Sequence, residues 1–135
     1  HLSIDSHFAA GNFIRDAIAG KKIIVQSSGA AVRSYLYIAD LTSQLWLLLL
    51  SGDRGGAYNI GSQEAISIKD LAIKTAQLLG REGYEILGHQ EQGWNPGRYV
   101  PDVSFGQKKL GLHQKTSLDT ALMKTALWNG WKPWS

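Results

Sequence analysis

Arg33 stands directly before the run Ser34-Tyr35-Leu36-Tyr37-Ile38, whose aromatic and branched residues predict a strand, with a helix starting at Asp40. A guanidinium at the mouth of a strand offers paired donors to two oxygens of one phosphate, which lysine cannot mimic. The competing reading is a surface ion pair between Arg33 and Asp40. His1 and His7 flank Asp5 and sketch a metal site. No H-x-x-x-H or H-x-x-E-H spacing supports it, so ordinary hydrogen-bonded histidines are the preferred reading. Trp128, Trp131 and Trp134 recur every three residues, as a stacking platform for a base or sugar would. A stripe that docks on the core or on a neighbour is the favoured alternative.

The motifs that would make the chain catalytic by itself are missing. There is no G-x-G-x-x-G turn to admit a dinucleotide pyrophosphate. Gly20-Lys21 is followed by Lys22, and Arg15 sits where a Walker loop needs its first glycine. No G-x-S-x-G elbow presents a serine nucleophile. None of the five tyrosines is followed four residues later by lysine. With no cysteine, disulfides, zinc–thiolate sites and thiol nucleophiles are excluded together.

Around these residues, Phe8 to Ala19 carries a helical apolar face through Phe13, Ile14, Ala17 and Ile18, and Gly20 ends it. Ile23 to Val25 is a β-branched strand followed by the turn Ser27-Ser28-Gly29. Asp40 is placed to cap a helix from Leu41 to Leu50. Asp53 to Gly56 is a turn, and Ala57 to Ile60 a short strand. Ser67 and Asp70 form a near capping box for a helix through Leu71, Ala72, Thr75, Ala76 and Leu79, closed by Gly80. Tyr84 to Leu87 is a further strand, Gly88 to Tyr99 a long polar loop holding Trp94, Ser104 to Leu110 a short helix. Thr116-Ser117 opens the last helix. The alternation predicts an α/β fold, with too few strands for a complete doubly wound sheet.

At 135 residues, the length suits one domain, residues 1–135, with no internal repeat or domain-sized linker. A hydrophobic share of 44% against 19% charged places the chain among globular proteins rather than disordered ones. The longest apolar run, Leu45 to Leu50, is far short of the roughly 20 residues of a membrane span. No basic segment followed by an apolar stretch opens the chain, so a cytoplasmic location is expected. A first residue of His1 rather than Met suggests a processed product or part of a longer protein. The net charge of +3 suits an anionic ligand, but the basic residues are dispersed, so nucleic acid is not an expected partner.

Three groups of residues carry a resemblance. Gly11-Asn12-Phe13-Ile14, Ile23-Ile24-Val25-Gln26 and Val32-Arg33-Ser34-Tyr35-Leu36-Tyr37-Ile38-Ala39-Asp40-Leu41 form the first. Ala57-Tyr58-Asn59-Ile60-Gly61-Ser62 and Ile66-Ser67-Ile68-Lys69-Asp70-Leu71-Ala72 form the second. Arg98-Tyr99-Val100-Pro101-Asp102-Val103-Ser104, Lys109-Leu110-Gly111-Leu112 and Thr116-Ser117-Leu118 form the third. In this order they resemble the C-terminal, substrate-binding portion of the extended short-chain dehydrogenase/reductases, the NAD-dependent nucleotide-sugar epimerases and dehydratases. That family includes dTDP-glucose dehydratases and UDP-glucuronate decarboxylases.

The resemblance implies the C-terminal part of a Rossmann-type enzyme without its glycine-rich half, and several roles. Arg33 and Arg98 would hold a nucleotide pyrophosphate, Asn12 would meet the phosphate or ribose, and Ile24 and Gln26 would lie along the base. Ala57 to Ile60 would join the edge of the NAD-binding sheet. NAD would belong to the intact parent, a lyase or isomerase, and none is expected on this chain alone. The implied ligand is a UDP-, dTDP- or CDP-linked sugar. The implied protein partner is a further copy or the missing N-terminal half. The alternative is an interaction module that has lost nucleotide binding. Ser27-Ser28-Gly29 stands where the family usually has Gly-Asp-Gly, and Asn95-Pro96-Gly97 where it has Arg-Pro-Gly. Phe105-Gly106-Gln107 replaces a basic continuation.

Overall fold

Phe13, Ile14 and Ala17 lie on one side of a helix, and burying that side is what anchors the N-terminal segment. The structure, a computed structural model, describes residues 8–81, 83–89, 93 and 95–133. The elements run α1 (Ala9–Ile18), β1 (Ile23–Val25), β2 (Val32–Ser34), α2 (Ile38–Ser51), β3 (Ala65–Ser67) and α3 (Ile68–Leu78). They continue with β4 (Tyr84–Ile86), β5 (Arg98–Tyr99), α4 (Ser104–Leu110) and α5 (Leu118–Trp128). This is an α/β fold, as expected. His1, Asp5, His7, Trp94 and Trp134 lie outside the described residues.

The strands form two small sheets. β1 pairs in parallel with β4, and β2 is the middle strand of β3-β2-β5, antiparallel to β3 and parallel to β5. The core lies where α1, α3 and α5 pack on one another and on β1, around Ile14, Ile23, Leu71, Leu79, Leu118 and Leu122. Polar contacts pin this layer: Arg81 Nε donates to the Ala17 carbonyl at 2.6 Å, and Lys74 Nζ to Asp119 at 2.6 Å.

The caps act as the sequence predicts at α3 and α5. Ser67 Oγ accepts from the Asp70 amide at 3.0 Å and donates to its carboxylate at 2.6 Å. Ser117 Oγ accepts from Thr120 N at 3.3 Å. Helix α4 matches its expected bounds and ends on Gly111 in the left-handed region, at φ 69°.

Other expectations fail for identifiable reasons. Ser34 to Ile38 is not a strand: β2 ends at Ser34, where β3 offers no further residue, and Ile38 already begins α2. Arg33 therefore lies within β2, not ahead of a strand. Asp40 does not cap the helix but sits in its first turn and faces another segment. Ala57 to Ile60 is not a strand among the described residues. It is held to α4 and the segment before it by side chains: Tyr58 stacks on Phe105 at 5.2 Å between ring centres, and Asn59 Nδ2 donates to the Asp102 carbonyl at 2.9 Å. The polar loop before Tyr99 ends in β5, and β3 was unforeseen. Of the two described tryptophans of the expected stripe, Trp131 packs against the core while Trp128 is 78% exposed.

Candidate functional site

The five candidate residues fall into two groups. Asn12 lies on α1, half-buried, and its Oδ1 accepts from Arg15 Nη1 at 3.1 Å. Ile24 is the middle residue of β1; with Ile23 and Val25 turned into the core, alternation turns it to the other face. Gln26 follows, exposed, just past the strand. The backbone there is closely covered. A Cβ on Gly88 would fall 2.5 Å from the Ser27 carbonyl carbon and 2.8 Å from the Gln26 oxygen, so that approach requires glycine.

The turn after Gln26 is fastened to the start of α3. Gly29, at φ +73°, accepts from the Lys69 amide at 3.0 Å, and Ala31 from the Ile68 amide at 2.9 Å. Ser27 and Ser28 hydroxyls accept from the amides of Gly29 and Ala30 at 3.3 and 3.4 Å. Two serines thus shape the turn where the resembling family has an aspartate.

Arg33 and Arg98, distant in sequence, arrive on adjoining strands. The register pairs Val32 with Arg98 and Arg33 with Tyr99, so the two arginines leave the sheet toward opposite faces. Arg33 is half-buried, and its Nη1 donates to the carbonyls of Val32 at 2.8 Å and Gly97 at 3.2 Å. The Gly97 carbonyl also receives the Val32 amide at 3.1 Å. Asn95 closes the turn by accepting from Gly97 N at 3.0 Å. Arg33 thereby grips the residue that precedes Arg98. Its expected partner Asp40 is engaged elsewhere, and neither Arg33 nor Arg98 forms an ion pair among the described residues.

Tyr35 and Tyr99 frame Arg33 and were not singled out from sequence. Burial pushes the Tyr35 hydroxyl above its ordinary pKa, against the opposing pull of the Arg33 charge. Tyr99 is exposed and shares the Arg33 face. Its place in the Arg98-Tyr99 pair was the available signal.

Asp40, expected from sequence as a helix cap or as an ion-pair partner of Arg33, takes neither role. It is 7% exposed and accepts from the amides of Thr116 and Lys115 at 2.8 and 3.0 Å and from the Thr116 hydroxyl at 3.1 Å. Burial pushes its pKa up, but these hydrogen bonds and the Lys115 charge outweigh it and leave the carboxyl below its ordinary value. At the other side of α2, Asp53 is held below the ordinary carboxylate range by hydrogen bonds from Lys109 and Tyr58. No group of three or more potential metal ligands occurs among the described residues.

Comparison with known proteins agrees with this fold. The sequence profile of the NAD dependent epimerase/dehydratase family matches residues 3–61. UDP-glucuronic acid decarboxylase 6 of Arabidopsis thaliana is 31% identical over 121 residues, 90% of this chain and 35% of the relative. A probable dTDP-glucose 4,6-dehydratase of Sinorhizobium fredii is 27% identical over 128 residues, 87% of this chain and 37% of the relative. The Bordetella bronchiseptica enzyme WbmF, solved with NAD+ and UDP, superposes with a TM-score of 0.77 at 27% identity. That match covers 90% of this chain and 36% of WbmF. The chain belongs to the NAD-dependent epimerase/dehydratase family and spans little more than a third of the length of these relatives.

Among the described residues, the junctions between a strand and its following helix do not fit a dinucleotide. A pyrophosphate needs a glycine turn that opens the first amides of a helix. Here β3 runs straight into α3, whose Asp70 amide is taken by Ser67, and β2 reaches α2 through Tyr35, Leu36 and Tyr37. No step is therefore assigned to NAD on this chain.

Proposed function

We propose that residues 1–135 are the nucleotide-sugar-binding portion of an NAD-dependent epimerase or dehydratase, and that hydride chemistry belongs to residues outside them. The carrying observation is Arg33: a half-buried guanidinium with no carboxylate partner among the described residues, its Nε and Nη2 making no hydrogen bond to any of them. A half-buried cation with two open donor nitrogens is well served by a counter-charge, and a phosphate supplies one with matching geometry. Tyr99 on the neighbouring strand shares the Arg33 face and lends an aromatic surface beside it, whereas Arg98 leaves toward the opposite face and is not counted with Arg33 at one phosphate. The named relatives act on UDP- or dTDP-linked sugars, and WbmF was solved with UDP, which supports a pyrimidine diphosphate as the ligand class. Asn12, Ile24 and Gln26 are assigned to the nucleoside end. In an intact parent, this portion would contribute remote binding energy and orient the sugar.

Titration of UDP and uridine into the wild type and Arg33→Ala tests the reading. A charge-assisted contact to the phosphate is worth about 1.5–3 kcal/mol, so UDP affinity should fall about ten- to a hundredfold while uridine is unaffected. Arg33→Lys should recover only part of the loss. An unchanged preference for UDP over uridine would remove the phosphate role. A second reading, an assembly module without nucleotide binding, is favoured by the open apolar face of α2. Association of chains with no saturable UDP binding would select it.

A further inference from the structure

Tyr99 is 77% exposed, although the backbone that carries it is fastened on both sides. Before it, the Gly97 carbonyl is held by the Val32 amide and the Arg33 guanidinium. After it, Pro101 packs closely on Gly61, where a Cβ would fall 2.6 Å from the Pro101 Cγ, and the Asp102 carbonyl accepts from Asn59. The Tyr99 ring and its hydroxyl make no hydrogen bond or ring contact among the described residues. A tyrosine fixed at its backbone and open at its ring offers a rigid, amphipathic surface at little entropic cost.

The registers align Ile66, Arg33 and Tyr99 in one row across β3, β2 and β5, all on the same face. Ile66 packs against the core, so the open ground beside Arg33 lies over Tyr99. The turn that follows Ile24 and Gln26 is bonded to the first residues of α3, directly after β3, on the other side of β2. A ligand with its nucleoside at that turn and its diphosphate at Arg33 therefore brings the group beyond the diphosphate to Tyr99. We propose that Tyr99 seats the sugar of a nucleotide sugar, its aromatic face against the C–H face of a pyranose and its hydroxyl at the ring's polar rim. The inference rests on the nucleotide-binding reading above and adds the residue that tells a nucleotide sugar from the bare nucleoside diphosphate. Arg33 cannot make that distinction, because both ligands carry the diphosphate.

The test is calorimetric titration of the full chain with UDP and with UDP-glucose. Tyr99→Ala should weaken UDP-glucose by about three- to tenfold, the range expected of one stacked ring, and leave UDP within about twofold. Tyr99→Phe, which keeps the ring, should retain most of the UDP-glucose affinity. Arg33→Ala should weaken both ligands. Circular dichroism should be unchanged by either Tyr99 substitution, since the side chain is open to solvent. Three results would overturn the sugar assignment while leaving the diphosphate reading intact: equal loss of both ligands in Tyr99→Ala, loss of neither, or a phenylalanine variant as weak as the alanine one. A wild type that binds neither ligand would overturn both readings.

Discussion

Replacing Asp40 with alanine removes one carboxylate and strands three donors: the amides of Lys115 and Thr116 and the Thr116 hydroxyl. Hydrogen bonds to a charged acceptor are worth about 1.5–3 kcal/mol each, but Lys115 is exposed and Thr116 half-exposed, so water replaces part of the loss. The expected cost is about 2–4 kcal/mol, a large share of the 5–15 kcal/mol typical of a domain. With a urea slope of about 1.5 kcal/mol/M, the midpoint should fall by roughly 1.3–2.7 M at pH 7, read by circular dichroism. Asp40→Asn keeps one acceptor oxygen and should lose about half as much. Because the folded carboxyl titrates below its unfolded value of about 3.9, its contribution is complete above that value. It is lost as pH falls through the folded pKa. The gap between wild type and Asp40→Asn should therefore shrink between pH 5 and pH 2.5. A midpoint shift under about 0.4 M for the alanine variant, or a gap that does not narrow in acid, would refute this account.

Gly29→Ala should cost about 2–4 kcal/mol, because the left-handed backbone disfavours a side chain and the new Cβ meets Lys69 Cβ at 2.9 Å and Lys69 N at 3.1 Å. Gly20→Ala, at a similar φ but in open space, should cost only about 1 kcal/mol; equal urea midpoints would discount the clash. Ser67→Ala removes the α3 cap and should lose about 1 kcal/mol in the same assay. Calorimetry with NAD should give no saturable heat in the micromolar range, and a clear isotherm there would contradict the fit argued above.

What could be read from the sequence is what is local in physics. Helices α3 and α5 are announced by Ser67 and Ser117, whose hydroxyls act within three residues, and α4 and β1 follow from short-range periodicity. Strands β3 and β5 are three and two residues long and exist only because β2 lies between them. Ala57 to Ile60 has strand composition but no ladder partner among the described residues, so it forms no strand within this chain. The candidate arginines could be chosen by type and resemblance. Their placement could not: the register that turns Arg33 and Arg98 to opposite faces, and the grip of Arg33 on Gly97, join segments 64 residues apart.

Helix α2 carries this reasoning furthest. Its run of leucines makes a helix easy to foresee, and ordinary amphipathic logic would then bury the leucines and expose Asp40 and Gln44. A contact 76 residues away reverses the orientation, since the Asp40 carboxylate is drawn inward by the Thr116 amide and hydroxyl. Rotating α2 to hide the leucines would strand those donors and break the Asp40 tie between the helix's first turn and the segment leading into α5. The same three hydrogen bonds that stabilise the fold thus hold α2 in the orientation that leaves its apolar face outward. A single aspartate thus links the stability of the chain to the side of α2 that is left apolar and open.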